Sequence, residues 1–288
     1  MTDRRTFCLA SGAALLGLTH GNTWADTEPL QDALRDIETK ARGRLGVHLI
    51  DTATGREQGW RMDERFLMLS SFKLLASALV LDRADRGEES LERRIRYRRQ
   101  DLVSWSPVTE RHVGGEGLSL AQLCEATITT SDNTAANLIL ASYGGPGALT
   151  AYARRLGDRV TRLDRTEPEL NRRAASGEPL DTTTPRAMAH TLRALLVGDA
   201  LSPASRARLL QWLLANTTGG KRLRAGVPAD WRIGEKTGTA GDDANDIGIA
   251  FPPQRAPVIV TAYLAESVTD GATREAALAS VGRLLAKL

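Results

Sequence analysis

Apolar positions recur at helical spacing soon after Pro29, at Leu30, Leu34 and Ile37, and the pattern runs out around Gly43. Two strands follow as a hairpin, Leu45 to Ile50 and Gln58 to Met62, joined by the turn-forming run Asp51-Thr-Ala-Thr-Gly55. From Ser70 to Leu81 the period returns to that of a helix, and further helical segments are predicted near 119–130, 133–143, 146–156, 184–197 and 203–215. Strands come back only later, at Trp231–Gly238, Asp246–Phe251 and Val258–Leu264, before a closing helix from about Ala272 to Leu285.

Strands at both ends with helices between them predict an α+β fold: one antiparallel sheet formed by both chain ends, flanked by the terminal helices, with an inserted all-helical lobe. The sheet lobe would span about 26–65 and 216–288 and the helical lobe about 66–215. A cleft between sheet edge and helical lobe is then the natural site. Thr161 to Asp181 is long, polar and weakly periodic, the mark of a functional loop.

The 288 residues, 42% hydrophobic and 25% charged, suit a globular protein and exclude disordered and fibrous classes. The net charge of +3 is spread over residues of both signs, which argues against a nucleic-acid partner. The one basic run, Arg93 to Arg99, is flanked by Glu88, Glu89, Glu92 and Asp101 and reads as a solvated face.

Residues 1–25 read as an export signal: Arg4 and Arg5, an uncharged stretch from Phe7 to Leu18, then small residues ending in Thr23-Trp24-Ala25. The paired arginines suggest the twin-arginine route to the periplasm, with an ordinary secretory signal as the alternative. Residues 26–288 would be the mature domain, without stable membrane association because no later stretch approaches the ~20 apolar residues of a span. That domain keeps one cysteine, Cys124, so it has no internal disulfide and the thiol reads as a buried apolar residue.

Chemistry gathers at four places. Ser70-Ser71-Phe72-Lys73 sits at a helix start, where i, i+3 spacing sets a hydroxyl beside an amine and the helix N-terminus favours a developing oxyanion. Lysine is scarce here, five residues against 33 arginines, and only lysine can give up a proton in a protein. Ser131-Asp132-Asn133 lies at a break between helices, where side chains can turn into a cleft. Lys236-Thr237-Gly238-Thr239 ends a predicted strand and offers a cation, hydroxyls and edge backbone to an anionic, amide-bearing ligand, with Gly238 allowing close approach. Arg165-Thr-Glu167-Pro-Glu169-Leu-Asn171 falls in the long loop, where a carboxylate beside an amide can hold and deprotonate a water. Taken singly these are a helix start, an N-cap, a strand before a turn and a surface acid.

Together, in this order, the first three elements resemble the recurring active-site signature of the serine β-lactamases and penicillin-binding proteins, a known pattern rather than one derived from these residues. The fourth looks like the signature loop of class A β-lactamases, and the resemblance runs from about residue 28 to 285. Further similar stretches are Asp132 to Leu138, Asp181 to Pro185 and Asn216 to Gly219. The resemblance implies a β-lactamase/transpeptidase-like fold, no cofactor and no metal, a monomer, and small β-lactams as substrates. It implies that Ser70 attacks the lactam carbonyl, that the Ser70 and Thr239 N–H groups form the oxyanion hole, and that Ser131 relays a proton to the leaving nitrogen. Asn133 would hold the substrate side-chain amide, Lys236 and Thr237 its carboxylate, and Glu167 with Asn171 the hydrolytic water. Either Lys73 or Glu167 serves as acylation base. Arg165 and Asp181 would pair across the loop.

Two further residues bear on substrate range by resemblance: Arg222, like an extra arginine near the substrate carboxylate, and Trp105, like an aromatic at the cleft mouth. With Thr239 they point to cephalosporins as well as penicillins. Leu69 and Ala240 stand where carbapenemases of the class commonly carry a cysteine pair, which argues against strong carbapenem hydrolysis. The rival readings are a penicillin-binding D-alanyl-D-alanine carboxypeptidase, disfavoured by Glu167 and Asn171, and a non-enzymatic β-lactam sensor domain, disfavoured by the lack of a membrane segment. Metal-dependent hydrolysis is poorly supported, since His48, His112 and His190 are isolated along the chain. No Gly-x-Ser-x-Gly elbow of an α/β-hydrolase occurs.

Overall fold

The computed structural model describes residues 27–287, so the export signal expected at 1–25 lies outside the described residues. Helix α1 (Thr27–Ala41) leads into the hairpin β1 (Arg44–Asp51) and β2 (Glu57–Trp60), and the short β3 (Phe66–Leu67) enters α2 (Phe72–Asp85) through a tight turn at Leu69–Ser71. A ribbon of β4 (Arg94–Ile95) and β5 (Leu118–Ser119) precedes α3 (Leu120–Thr129), α4 (Asn133–Ser142) and α5 (Pro146–Arg155). After a long loop come β6 (Thr182–Thr183), α6 (Pro185–Leu196), α7 (Pro203–Leu214), the single turn α8 (Leu223–Gly226), the meander β7 (Arg232–Ala240), β8 (Asp243–Phe251) and β9 (Val258–Ala265), and α9 (Gly271–Leu285).

The sheet runs β2-β1-β9-β8-β7 and is antiparallel throughout, with the N-terminal hairpin docked on the last strand of the meander. Alternation along each strand divides the core. Leu45, Val47 and Leu49 face outward with Val260, Ala262 and Leu264 to meet Leu34, Leu278 and Val281 of the terminal helices. Ile50, Ile259 and Tyr263 face inward with Ile247 and join Phe72, Leu75 and Leu79 of α2, which is buried along most of its length. Fully burying a side chain of this kind stabilises by about 1.5–3 kcal/mol, so α2 is fixed rigidly at the centre of the helical lobe.

Three details differ from the expectations. The helix expected from Ser70 begins at Phe72, after a 3-10 turn that holds the serine. Strand β8 starts at Asp243, three residues earlier than its apolar run, because buried polar groups there find partners: Asn245 Nδ2 donates to the carbonyls of Leu67 (2.9 Å) and Met68 (3.1 Å). Between the terminal strands the two-residue pairs β3–β6 and β4–β5 also form, each too short to show a period. Among the described residues no helix is long and apolar enough to cross a membrane.

Candidate active site

The turn before α2 is pinned from below by Asn245 and strained at its entry, where Leu69 takes a left-handed φ of 48°. Ser131 (62°) and Trp105 (61°) share that conformation, which costs a non-glycine residue about 1–3 kcal/mol and tends to gather at functional sites. All three positions border one cavity of about 400 Å³ or the turn beside it. The helical lobe and the long loop contribute Ser70, Trp105, Ser131, Asn133, Glu167 and Asn171 to the cavity lining, and β7 with the segment before it contributes Thr218, Thr237, Gly238 and Thr239.

At the centre is the amine of Lys73, fully buried. Its Nζ lies 2.9 Å from Ser70 Oγ, 2.9 Å from the Ser131 carbonyl, 2.5 Å from Asn133 Oδ1 and 3.1 Å from Glu167 Oε1. Burial pulls this amine below its ordinary range, and the Glu167 carboxylate works against that shift. Ser70 Oγ is 3.3 Å from Glu167 Oε1, so the hydroxyl has two groups in reach that can take its proton. Ser131 Oγ stands between two amines, 3.3 Å from Lys73 Nζ and 3.1 Å from Lys236 Nζ. Lys236 is held well below the usual lysine range, first by burial and then by the charges of Lys73 and Arg222.

Asp132 serves both as the helix cap of α4, accepting from Ala135 N at 2.8 Å, and as the brace of the opposite wall, accepting from the Val108 and Thr109 N–H groups at 3.0 and 2.9 Å. The break between α3 and α4 is thereby rigid, and Ser131 and Asn133 leave it in fixed directions. Asn133 also donates to the Ser104 carbonyl at 2.8 Å, so both ends of its amide are engaged.

The loop carrying Glu167 is closed at its base by Arg165 and Asp181, Nε to Oδ2 at 2.6 Å, with the N–H groups of Asp164 and Arg165 on the other carboxylate oxygen. Asn171 Nδ2 donates to Glu167 Oε2 at 2.6 Å, while Asn171 Oδ1 is buried without a protein partner. The Glu167–Pro168 peptide is cis.

The sequence reading overlooked Asn137 and Thr218. Asn137 receives the Glu167 N–H and donates to the Glu167 carbonyl, both at 2.9 Å, fixing the backbone of the acid; its signal was the i+4 spacing from Asn133 on one face of α4. Thr218 lines the cavity with its hydroxyl 2.5 Å from that of Thr237.

Three placements in the fold add to these expectations. Gly238 borders the cavity, but a Cβ on it would lie 2.9 Å from Leu69 Cβ and 3.2 Å from Ser70 N, so the glycine is there to let β7 lie against the serine turn. Arg222 is neither on the surface nor among the cavity-lining residues. It is buried behind β7, donating to the Gly238 carbonyl (2.9 Å), the Asn245 carbonyl (2.8 Å) and Thr239 Oγ1 (2.6 Å), and reaches the site only through Thr239. His48 and His190, isolated along the chain, stand 5.9 Å apart ring to ring in the fold. Trp105 lines the cavity, 65% exposed, with Nε1 donating to the Thr130 carbonyl. Cys124 is free and fully buried, and burial pushes its thiol up to about 12.

Comparison with known proteins identifies the family to which a chain with this fold and cavity belongs. The model of the β-lactamase enzyme family matches residues 29–288. β-Lactamase L2 of Stenotrophomonas maltophilia is 46% identical over 303 residues, covering 100% of this chain and 99% of the relative. β-Lactamase OXY-1 of Klebsiella oxytoca is 43% identical over 284 residues, 98% of this chain and 97% of the relative. This chain belongs to the class A β-lactamases. Among solved structures, an ancestral (GNCA) class A β-lactamase is 61% identical with a TM-score of 0.87, covering 90% of this chain and 99% of that one. The putative class A β-lactamase PenP from Rhodopseudomonas palustris is 57% identical, also with a TM-score of 0.87, over 90% and 98%. As a class A β-lactamase the chain hydrolyses β-lactams, and the carboxypeptidase and sensor readings are not favoured.

Proposed function

We propose that this β-lactamase opens penicillins and cephalosporins, without strong carbapenem hydrolysis, through a covalent Ser70 ester that is then hydrolysed by water activated by Glu167. The supporting observation is the position of one carboxylate: Glu167 lies 3.3 Å from Ser70 Oγ on one oxygen and is bonded to Asn171 on the other, inside the same cavity. Deacylation needs a base and an acceptor beside the ester carbon, and Glu167 with the free Asn171 Oδ1 supplies both. Lys73, its amine lowered by burial, and Glu167 are both placed to take the Ser70 proton during acylation.

The lactam carbonyl oxygen becomes an oxyanion between the backbone N–H groups of Ser70 and Thr239, which Gly238 permits by letting β7 pack against the serine turn. Ser131, between the two lysines, passes a proton to the departing nitrogen. Lys236 and Thr237 receive the substrate carboxylate, with Arg222 holding Thr239 in place, and Asn133 and Trp105 meet the side chain. Residues 1–25 act as an export signal, by the twin-arginine route, and residues 26–288 work as a monomeric catalytic domain in the periplasm, conferring β-lactam resistance.

Intact-protein mass after mixing with benzylpenicillin tests the chemistry. Glu167→Ala is expected to accumulate a stable adduct of one penicillin per chain, and Ser70→Ala to form none. Undiminished turnover by the Glu167 variant would remove that residue from the mechanism, and an adduct on the Ser70 variant would remove the serine.

A further inference from the structure

On the sheet edge away from the cavity, three metal-ligating side chains converge from three elements. His48 points inward from β1, Glu57 comes from β2, where it pairs with Ile50 and lies diagonally from His48 on the same face, and His190 descends from α6. His48 Nε2 lies 3.0 Å from Glu57 Oε2 and His190 Nε2 lies 3.3 Å from Glu57 Oε1, with one ligand atom of each residue within 4.8 Å of the others. We propose that His48, Glu57 and His190 form a binding site for a divalent transition metal, of which Zn²⁺ is the probe, joining the β1–β2 edge to α6.

The donor set suits such an ion. Two imidazoles and a carboxylate favour Zn²⁺, Cu²⁺ or Ni²⁺ over Mg²⁺ or Ca²⁺. Tetrahedral zinc with bonds of ~2.0–2.1 Å sets its ligand atoms about 3.3 Å apart, so the cluster needs only a modest contraction. His190 supplies it, since its side chain is 46% exposed and free to turn, whereas His48 is fully buried and fixed. A cleft lined by Asp63, Arg186 and His190 gives entry from solvent and room for a fourth ligand.

Two features set the strength. Arg186 Nη1 is 3.3 Å from Glu57 Oε2, but the same guanidinium is paired with Asp63 at 2.8 and 3.1 Å, which leaves the cluster one net negative charge for the cation. His48 Nδ1 has no hydrogen-bond partner, unlike the buttressed imidazoles of tight zinc sites, so affinity in the roughly micromolar range is expected. The β1 strand is three strand spacings, about 14 Å, from β7, which separates this metal from the serine chemistry.

Isothermal titration of the untagged protein with ZnCl₂ tests the site. One equivalent is expected to bind, with His190→Ala at least tenfold weaker, His112→Ala unchanged, and penicillin turnover of His190→Ala kept as evidence that the variant is folded. Saturating Zn²⁺ is also expected to raise the melting temperature of the wild type by about 5 °C and that of His190→Ala by much less. Absence of saturable binding up to millimolar Zn²⁺, or wild-type affinity in His190→Ala, would overturn the proposal.

Discussion

Replacing Asp132 with asparagine alters one of two buried oxygens that between them accept from the Val108, Thr109 and Ala135 N–H groups and the Thr109 hydroxyl, at 2.8–3.0 Å. All but the hydroxyl are backbone donors that cannot turn away. If the new amide nitrogen takes the Oδ2 position it confronts two N–H groups; at Oδ1 it confronts only Ala135 N, because the Thr109 hydroxyl can rotate and accept. The second orientation is therefore adopted. It leaves one buried N–H unpaired, at about 1–3 kcal/mol, and converts two charge-assisted bonds to neutral ones at about 0.5–1 kcal/mol each. Asp132→Asn is thus expected to lose about 2–5 kcal/mol, or roughly 5–15 °C in melting temperature. Urea unfolding followed by circular dichroism measures it directly, as a lower midpoint at unchanged slope. Turnover should fall as well, because Ser131 and Asn133 take their directions from this brace. A loss below about 1 kcal/mol would refute the account of Asp132 as the keystone of the break between α3 and α4.

Asp246 predicts the opposite outcome for the same kind of change. Its buried carboxyl is pushed well up, by burial and by neighbouring Glu235, so Asp246→Asn should stay within about 1 kcal/mol of wild type in the same urea assay; a loss above about 2 kcal/mol would show that the acid is charged. Arg173 ties the catalytic loop to the β7–β8 turn through Asp243 (2.5 Å) and Asp242 (3.3 Å), contacts partly open to water. Arg173→Ala should therefore change global stability by under about 1 kcal/mol while amide hydrogens of residues 172–180 exchange faster, and unaltered exchange there would dismiss the tie. For pH, Lys236 loses its proton as pH rises, and earlier than an ordinary lysine, so kcat/KM for an anionic penicillin should fall on an alkaline limb centred below 10.5. A profile flat through that region would contradict the lowered amine.

What the sequence revealed and what it withheld follow from the range of the interactions involved. The longer helices and the meander strands each carry their own apolar period, and Ser70 with Lys73 or Glu167 with Asn171 lie close along the chain, where their spacing is visible but only the family resemblance gave them roles. Asn137 was overlooked because its function lies 30 residues away, on the backbone of Glu167. Gly238 was read for the close approach of a ligand, and only the fold shows that it also lies against Leu69. Arg222 was read by resemblance as a ligand contact, and burial behind β7 makes it a support for Thr239 instead. The meeting of His48 with His190 joins a strand to a helix 142 residues further on, and no periodicity records it.

The scarcity of lysine acquires its meaning in the same cavity. Lys73 and Lys236 are both fully buried, both within 3.3 Å of one hydroxyl, and Arg222 adds a third cation behind them. Glu167 compensates Lys73 directly at 3.1 Å, but Lys236 has no carboxylate among its hydrogen-bond partners, only the Ser131 hydroxyl and the Thr237 carbonyl. Such crowding is tolerable only if an amine can shed its proton, and arginine, the cation this chain uses almost everywhere else, cannot. With the substrate carboxylate placed at Lys236 as proposed, its charge would favour the protonated amine and so couple substrate binding to proton uptake. In the proposed mechanism, the residues that make the cavity electrostatically awkward are thus the ones that favour an anionic substrate.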